Sequence, residues 1–260
     1  DDPGLAERAT RIALLAGRPD LAEMALARWR ALAPGAATLP AVELELALAL
    51  GDAARAGDAA EALAARPGED GLSALVAILG ATKHGQRLFA GRVLRELFAT
   101  DRLPPRFGAW LALAGLARRL GEPSLAEDLV REGLARFPDD PRAHLLLADR
   151  LRREGRDEAA RAQLARVGDP GALAPELRGA AARLHALLGD PVAAASVLGQ
   201  GPQDEQTLRQ RARWLIEAGS RRDVGALYDE VVALGKAPPP ERRLLLGMLA
   251  EGLLRWREAE

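Results

Sequence analysis

The sequence predicts an all-α fold, a right-handed α-solenoid of stacked helix–turn–helix units, and three observations carry that prediction. Gly17, Gly51 and Gly85 stand 34 residues apart, with Ala22, Ala56 and Ala90 five residues behind them. After a slip of two residues the beat resumes at Gly121, Gly155 and Gly189, followed by Ala126, Ala160 and Ala194. A fixed period of this length marks a repeat architecture. Alanine, leucine, arginine and glutamate, all strong helix formers, dominate the 260 residues. Aromatic residues make up only 3%, too few for a large β-sandwich core, while 48% hydrophobic residues suffice for a thin core running along a stack.

Each unit reads as a helix A, a tight turn at the glycine, and a helix B beginning near the alanine. Glycine reaches positive φ at little cost, and alanine lets two helices cross closely. The units fall at 3–36, 37–70, 71–104, 107–140, 141–174, 175–204 and 205–239, with a truncated eighth at 240–260. The best copy carries Phe107, Trp110, Leu113, Ala114, Ala117, Gly121, Ala126 and Pro138. The next, from Pro141, carries Leu147, Ala148, Leu151, Gly155 and Ala160. A third, from Pro175, carries Ala181, Ala182, Gly189 and Ala194, with Pro191 suited to the first turn of its helix B.

The beat slips in the turn-rich linkers Thr100–Pro105 and Gly199–Gln203, where bends are expected. After Pro238, Pro239 and Pro240, Leu244–Leu254 reads as a last helix A, and Arg255–Ala259 as a turn into another helix B. A solenoid ends in a polar cap, so the natural chain is expected to continue beyond Glu260.

Composition narrows the function classes. The net charge is −1, whereas nucleic-acid binders carry a basic excess. No apolar run is long enough to span a bilayer. Neither a nucleic-acid partner nor direct membrane insertion is therefore expected. The absence of cysteine excludes disulfides, thiolate metal sites and a cysteine nucleophile.

His84, His144 and His185 form no HExxH and no pair at i,i+4 spacing, so no metal site is predicted, and His144 and His185 read as packing residues. Neither a Walker loop nor a G-x-S-x-G elbow occurs. Gly199-Gln200-Gly201 lacks a third glycine and a preceding strand. Ser73, Ser124, Ser196 and Ser220 stand in no triad motif, and Asp139-Asp140 reads as a cap for the helix at Pro141. No catalytic residue and no cofactor is predicted, and the chain reads as a non-enzyme.

The spaced Trp, Leu, Gly, Ala and Pro positions resemble the tetratricopeptide repeat. That resemblance implies that the A helices line a concave face. Repeat positions 2, 5, 9 and 12 share one helix stripe, with position 13 beside them. The stripe holds Arg118 and Arg119 in the fourth repeat, and Arg142, Asp149, Arg152 and Arg153 in the fifth. It continues with Arg183 in the sixth and Arg209 and Arg213 in the seventh, whereas the third offers Leu72, Leu75 and Leu79. A basic central and C-terminal groove, with an apolar third repeat, is predicted to hold a protein or peptide through acidic or carboxylate groups. Arginine forks grip carboxylates with two parallel hydrogen bonds. Trp29 and Leu97 stand where the family prefers small residues, so looser packing is expected there. Chaperone-binding members use asparagine on helix A. This chain has no asparagine, and Asp149 stands at the matching place, so that variant is set aside.

Leu5–Pro34, Phe137–Ala160 and Pro238–Ala259 are similar to bacterial tetratricopeptide lipoproteins of the outer membrane. The resemblance implies an adaptor that binds a periplasmic carboxy-terminal processing protease and delivers cell-wall hydrolases to it. It also implies a periplasmic location with an outer-membrane anchor, whose cysteine is absent from this sequence. A cytoplasmic location is equally compatible with the lack of cysteine. The other readings are a scaffold of an exopolysaccharide synthesis or export machine, a repeat domain fused to an enzyme, and a self-associating module.

Overall fold

The computed structural model describes residues 2–68, 70–235 and 239–257. Those residues form fifteen α-helices and no strand. The chain divides into two compact units, Asp1–Phe137 and Pro138–Glu260. The first holds α1 (Pro3–Leu15), α2 (Pro19–Leu32), α3 (Leu39–Leu50), α4 (Ala53–Ala64), α5 (Asp70–Gly80), α6 (Arg87–Ala99), α7 (Phe107–Leu120) and α8 (Pro123–Arg136). The second holds α9 (Pro141–Arg153), α10 (Asp157–Leu164), α11 (Pro175–Leu187), α12 (Pro191–Gly199), α13 (Glu205–Glu217), α14 (Arg221–Ala233) and α15 (Pro240–Arg257). Odd-numbered helices are the A helices and even-numbered ones the B helices; the division falls between the fourth and fifth pairs.

Every helix B begins two residues after its glycine, at Pro19, Ala53, Arg87, Pro123, Asp157 and Pro191. Ala22, Ala56, Ala90, Ala126, Ala160 and Ala194 retain no exposed surface. Val224 fills the same place five residues after Gly219. A small side chain there sets the distance at which the two helices cross. Gly121 shows why the turn needs glycine: at φ 85° it closes α7 in the left-handed conformation, which a Cβ disfavours. Acidic caps open several helices, as Asp140 does by accepting from the Arg142 N–H at 2.8 Å, the role expected of it.

The third repeat departs from this plan. Gly85 lies in a 3₁₀ turn, His84–Gln86, and is not among the positive-φ glycines. α5 already stops at Gly80, so residues 81–86 span a gap that the other hairpins bridge with two or three residues. Leu72, Leu75 and Leu79 precede Trp110, Leu113 and Ala117 by 38 residues, whereas Gly85 precedes Gly121 by 36. All six of those side chains are buried. The beat thus tracks helix B in this repeat, while helix A is two residues out of phase. Leu75 and Leu79 consequently face the core, fully enclosed, and do not line a groove. The open stripe of α5 is Ser73, Ala77 and Gly80.

Unit 1 is otherwise tightly tied. Trp29 and Leu97 are each only 1% exposed and lie inside core clusters that also hold several alanines. The Thr100–Pro105 linker is braced from α7 and α8. Trp110 Nε1 donates to the Pro104 carbonyl at 3.0 Å, and Arg136 pairs with Asp101 at 2.5 Å while lying 5.1 Å over the Trp110 ring. α7 packs on both α5 and α6 across that linker.

In unit 2 the Gly199–Gln203 linker is organised by a buried arginine. Arg178 donates through Nε to the Pro170 carbonyl at 2.9 Å and through Nη2 to the Leu173 carbonyl at 2.6 Å. Its guanidinium lies against Gly201. α13 follows by packing extensively on α12. α15 runs as one helix through Arg257, so Arg255–Arg257 is not the predicted turn. Leu245, Leu249 and Gly252 repeat the inward spacing of an A helix along it. Pro238, Glu258 and Ala259 lie outside the described residues.

Candidate partner-binding face

An open cleft of about 460 Å³ lies in unit 1 against the stripes of α1 and α3. α1 supplies Arg11, Leu14 and Leu15; α3 supplies Glu45, Leu48 and Ala49; Ile78, Ala81, Thr82 and Gln86 come from α5 and the long turn behind it. That turn is pinned over the end of α3, because Gln86 Nε2 donates to the Leu48 carbonyl at 3.3 Å. Thr82 Oγ1 donates to the Leu79 carbonyl at 2.8 Å, which leaves its methyl and the leucines as the lining. The extra residues of the third repeat therefore form one wall of the cleft.

Two charged groups face each other there. Arg11 is held on its own helix, with Nε and Nη2 donating to Glu7 Oε1 at 3.0 and 2.9 Å. Glu45 makes no hydrogen bond or ion pair among the described residues. Burial among apolar side chains pushes its carboxyl above the ordinary glutamate range, and Arg11 opposes that shift.

A second cleft, of about 520 Å³, lies between the end of α4 and the linker after α6. Its arginines are engaged within the fold. Arg102 pairs with Glu61 at 2.8 Å, Arg106 donates to the Gly68 carbonyl at 2.9 Å, and Arg66 donates to the Ala37 carbonyl.

The predicted arginines separate into spent and open ones. In unit 1, Arg118 and Arg119 are exposed at the end of α7, and Arg119 lies across Gly80, where a Cβ would stand 3.1 Å from its guanidinium. In unit 2, arginines of α9 have acidic partners: Arg152 and Arg153 both pair with Asp149, at 3.1 and 2.5 Å, and Arg142 pairs with Asp140 at 3.7 Å. α11 and α13 differ. Arg183 and Arg213 are exposed and make no hydrogen bond or ion pair among the described residues, and Arg209 reaches only the carbonyl of Glu205 at 3.3 Å.

His144 and His185 sit in packing roles. His144 is buried with Nδ1 3.0 Å from Gln163 Oε1. His185 is half-buried, and burial holds its pKa below the ordinary histidine value against the opposing pull of Asp190. Among the described residues no group of three or more His, Asp and Glu side chains could hold a metal ion, and no helix is long and apolar enough to cross a membrane.

Arg11, Leu14, Glu45 and Leu48 went unread in the sequence although they occupy the same stripe positions in the first two repeats. Their spacing alone locates them. Ile78 and Gln86 could not be found that way, because Ile78 lies off the stripe of α5 and Gln86 lies in the turn behind it.

Residues 107–150 match the tetratricopeptide repeat family. No curated protein sequence matches the chain. A tetratricopeptide repeat protein from Parabacteroides merdae is 14% identical with a TM-score of 0.40, over 95% of this chain and 98% of that one. The Cut9 assembly of the anaphase-promoting complex, Cut9–Hcn1, is 13% identical with a TM-score of 0.42, over 92% of this chain and 48% of that one. The assembly chaperone Acl4 of RpL4 is 17% identical with a TM-score of 0.34, over 100% and 99%. The chain thus spans about half the length of the Cut9 structure's matched chain.

Proposed function

We propose that the chain is a non-enzymatic scaffold whose A-helix stripe holds a protein or peptide partner, with carboxylates of the partner meeting Arg183 and Arg213. One observation carries this reading: both guanidinium groups occupy stripe positions, are exposed, and make no hydrogen bond or ion pair among the described residues. Arg152 and Arg153 of α9 by contrast share Asp149. An unpaired guanidinium fork takes a carboxylate through two parallel hydrogen bonds. Each such contact at an exposed site contributes only about 0.2–1 kcal/mol, so several must act together. The repeat match at 107–150 agrees with an interaction role.

The test is fluorescence anisotropy with a labelled aspartate- and glutamate-rich peptide. The double variant Arg183→Glu/Arg213→Glu is expected to bind at least tenfold more weakly at about 0.15 M salt, where screening acts over roughly 8 Å. Unchanged affinity overturns the reading.

A finer proposal makes the partner a periplasmic processing protease and the scaffold its adaptor. It rests on the resemblance of Leu5–Pro34, Phe137–Ala160 and Pro238–Ala259 to the outer-membrane lipoproteins. Affinity purification of the tagged natural protein from the cell envelope tests it. Recovery of the protease supports the adaptor; recovery of the protein in the cytosolic fraction overturns it.

A further inference from the structure

The cleft of unit 1 is chemically opposite to the arginine stripe of unit 2. We propose that it is a second docking site, taking a peptide segment in which an apolar side chain adjoins a lysine or arginine. The proposal rests on the reading of the A-helix stripe as the partner face, and adds the chemistry of one site on it.

Three features support that occupant. Leu14, Leu48 and Ile78 give the cleft apolar walls, and Leu15, 90% exposed, extends them outward. A volume of about 460 Å³ falls in the range of ligand pockets, roughly 300–1,000 Å³. Among the described residues Glu45 stands in that wall without a hydrogen-bond or ion-pair partner, whereas the cation lining the cleft, Arg11, is gripped by Glu7. Glu7, Arg11 and Glu45 together leave the site one negative charge. The Glu45 carboxylate is open to solvent beside those apolar walls, so an incoming ammonium or guanidinium can pair with it while the adjoining apolar side chain covers the leucines. An acidic segment would meet Glu45 head-on and be rejected. The wall formed by residues 81–86 is already fixed by the Gln86 contact to Leu48, so the site needs little ordering on binding.

The experiment selects peptides from a random displayed library on the whole chain. The recovered peptides are then titrated by calorimetry against four proteins: wild type, Glu45→Gln, Leu15→Ser and Arg183→Glu/Arg213→Glu. Glu45 and Leu15 are solvent-accessible, so both single variants keep the fold. The expected pool contains a class with Leu, Ile or Phe beside Lys or Arg. Its affinity falls at least tenfold in Glu45→Gln and several-fold in Leu15→Ser, and stays within twofold in the double arginine variant. Carbon-13 NMR of Glu45 is expected to show its titration midpoint moving down when such a peptide binds. Absence of that class, or equal binding by Glu45→Gln, overturns the proposal. If acidic peptides alone are recovered and depend on Arg183 and Arg213, the scaffold reading stands and the cleft proposal falls. The reverse pattern keeps the cleft and rejects the acidic partner.

Discussion

Arg178 and Gly201 occupy nearly the same space: a Cβ at 201 would stand 1.5 Å from the Arg178 Nη1. The arginine cannot simply swing away, since it is buried and donates to the carbonyls of Pro170 and Leu173. Gly201→Ala must therefore displace a charged group from two hydrogen bonds, each worth about 1.5–3 kcal/mol. A loss of about 2–4 kcal/mol is expected after partial relaxation. Chemical denaturation followed by the far-ultraviolet circular dichroism of the helices measures it. A loss under 0.5 kcal/mol, taking surface substitutions as the yardstick at about that size, shows that Arg178 does not lock the linker.

The two conformations of the repeated glycine make opposite demands. Gly121→Ala forces a side chain into φ 85° and is expected to cost about 1–2 kcal/mol. Gly85→Ala meets no left-handed backbone and no atom within 4 Å, so it is expected to be neutral or to stabilise by up to about 1 kcal/mol. The comparison is made on melting curves of the two variants under identical conditions. Equal losses contradict the 3₁₀ turn at His84–Gln86.

Asp204 caps α13 by accepting from the Thr207 N–H at 2.7 Å. That bond, followed by one from the Thr207 hydroxyl, holds the carboxyl below the ordinary aspartate range. The ionised form is favoured by folding, so the unfolded chain binds its proton at the higher pH. The cap's contribution is complete above the ordinary range and disappears as pH falls through the lowered folded value. Asp204→Ala is expected to cost about 1 kcal/mol at pH 7. The gap to wild type narrows as the solution is acidified below the ordinary aspartate range, and a pH-independent gap contradicts the cap.

Much of the fold was legible because glycine and alanine mark positions where geometry leaves few choices. A left-handed turn and a close helix crossing both repeat with the unit, so Gly121 and Ala126 announce themselves. Register inside a helix A carries no such marker. Leu75 and Leu79 read equally well as groove or core until the turn length between α5 and α6 is known. Charge is similarly ambiguous: Arg152 and Arg183 look alike in sequence, but Asp149 lies one turn from the first, and the second makes no ion pair among the described residues. The buried Arg178 left no trace in the pattern, since its partners are main-chain carbonyls and its space is the missing side chain of Gly201.

The register of the A-helix stripe, and its use as the partner face, can be read out in one measurement, because the chain contains no cysteine. Single cysteines at Ala77 and Ala186 on the stripe, Leu75 in the core and Leu88 on α6 would be reacted with a maleimide, with and without saturating peptide. Ala77→Cys and Leu88→Cys should label quickly in the free protein, the half-buried Ala186→Cys more slowly, and Leu75→Cys slowest. Peptide should then protect the stripe cysteine beside the site it occupies and leave Leu88→Cys unchanged. Fast labelling at Leu75→Cys would contradict the two-residue offset of α5, and protection at Leu88→Cys without protection on the stripe would contradict the A-helix face as the binding surface.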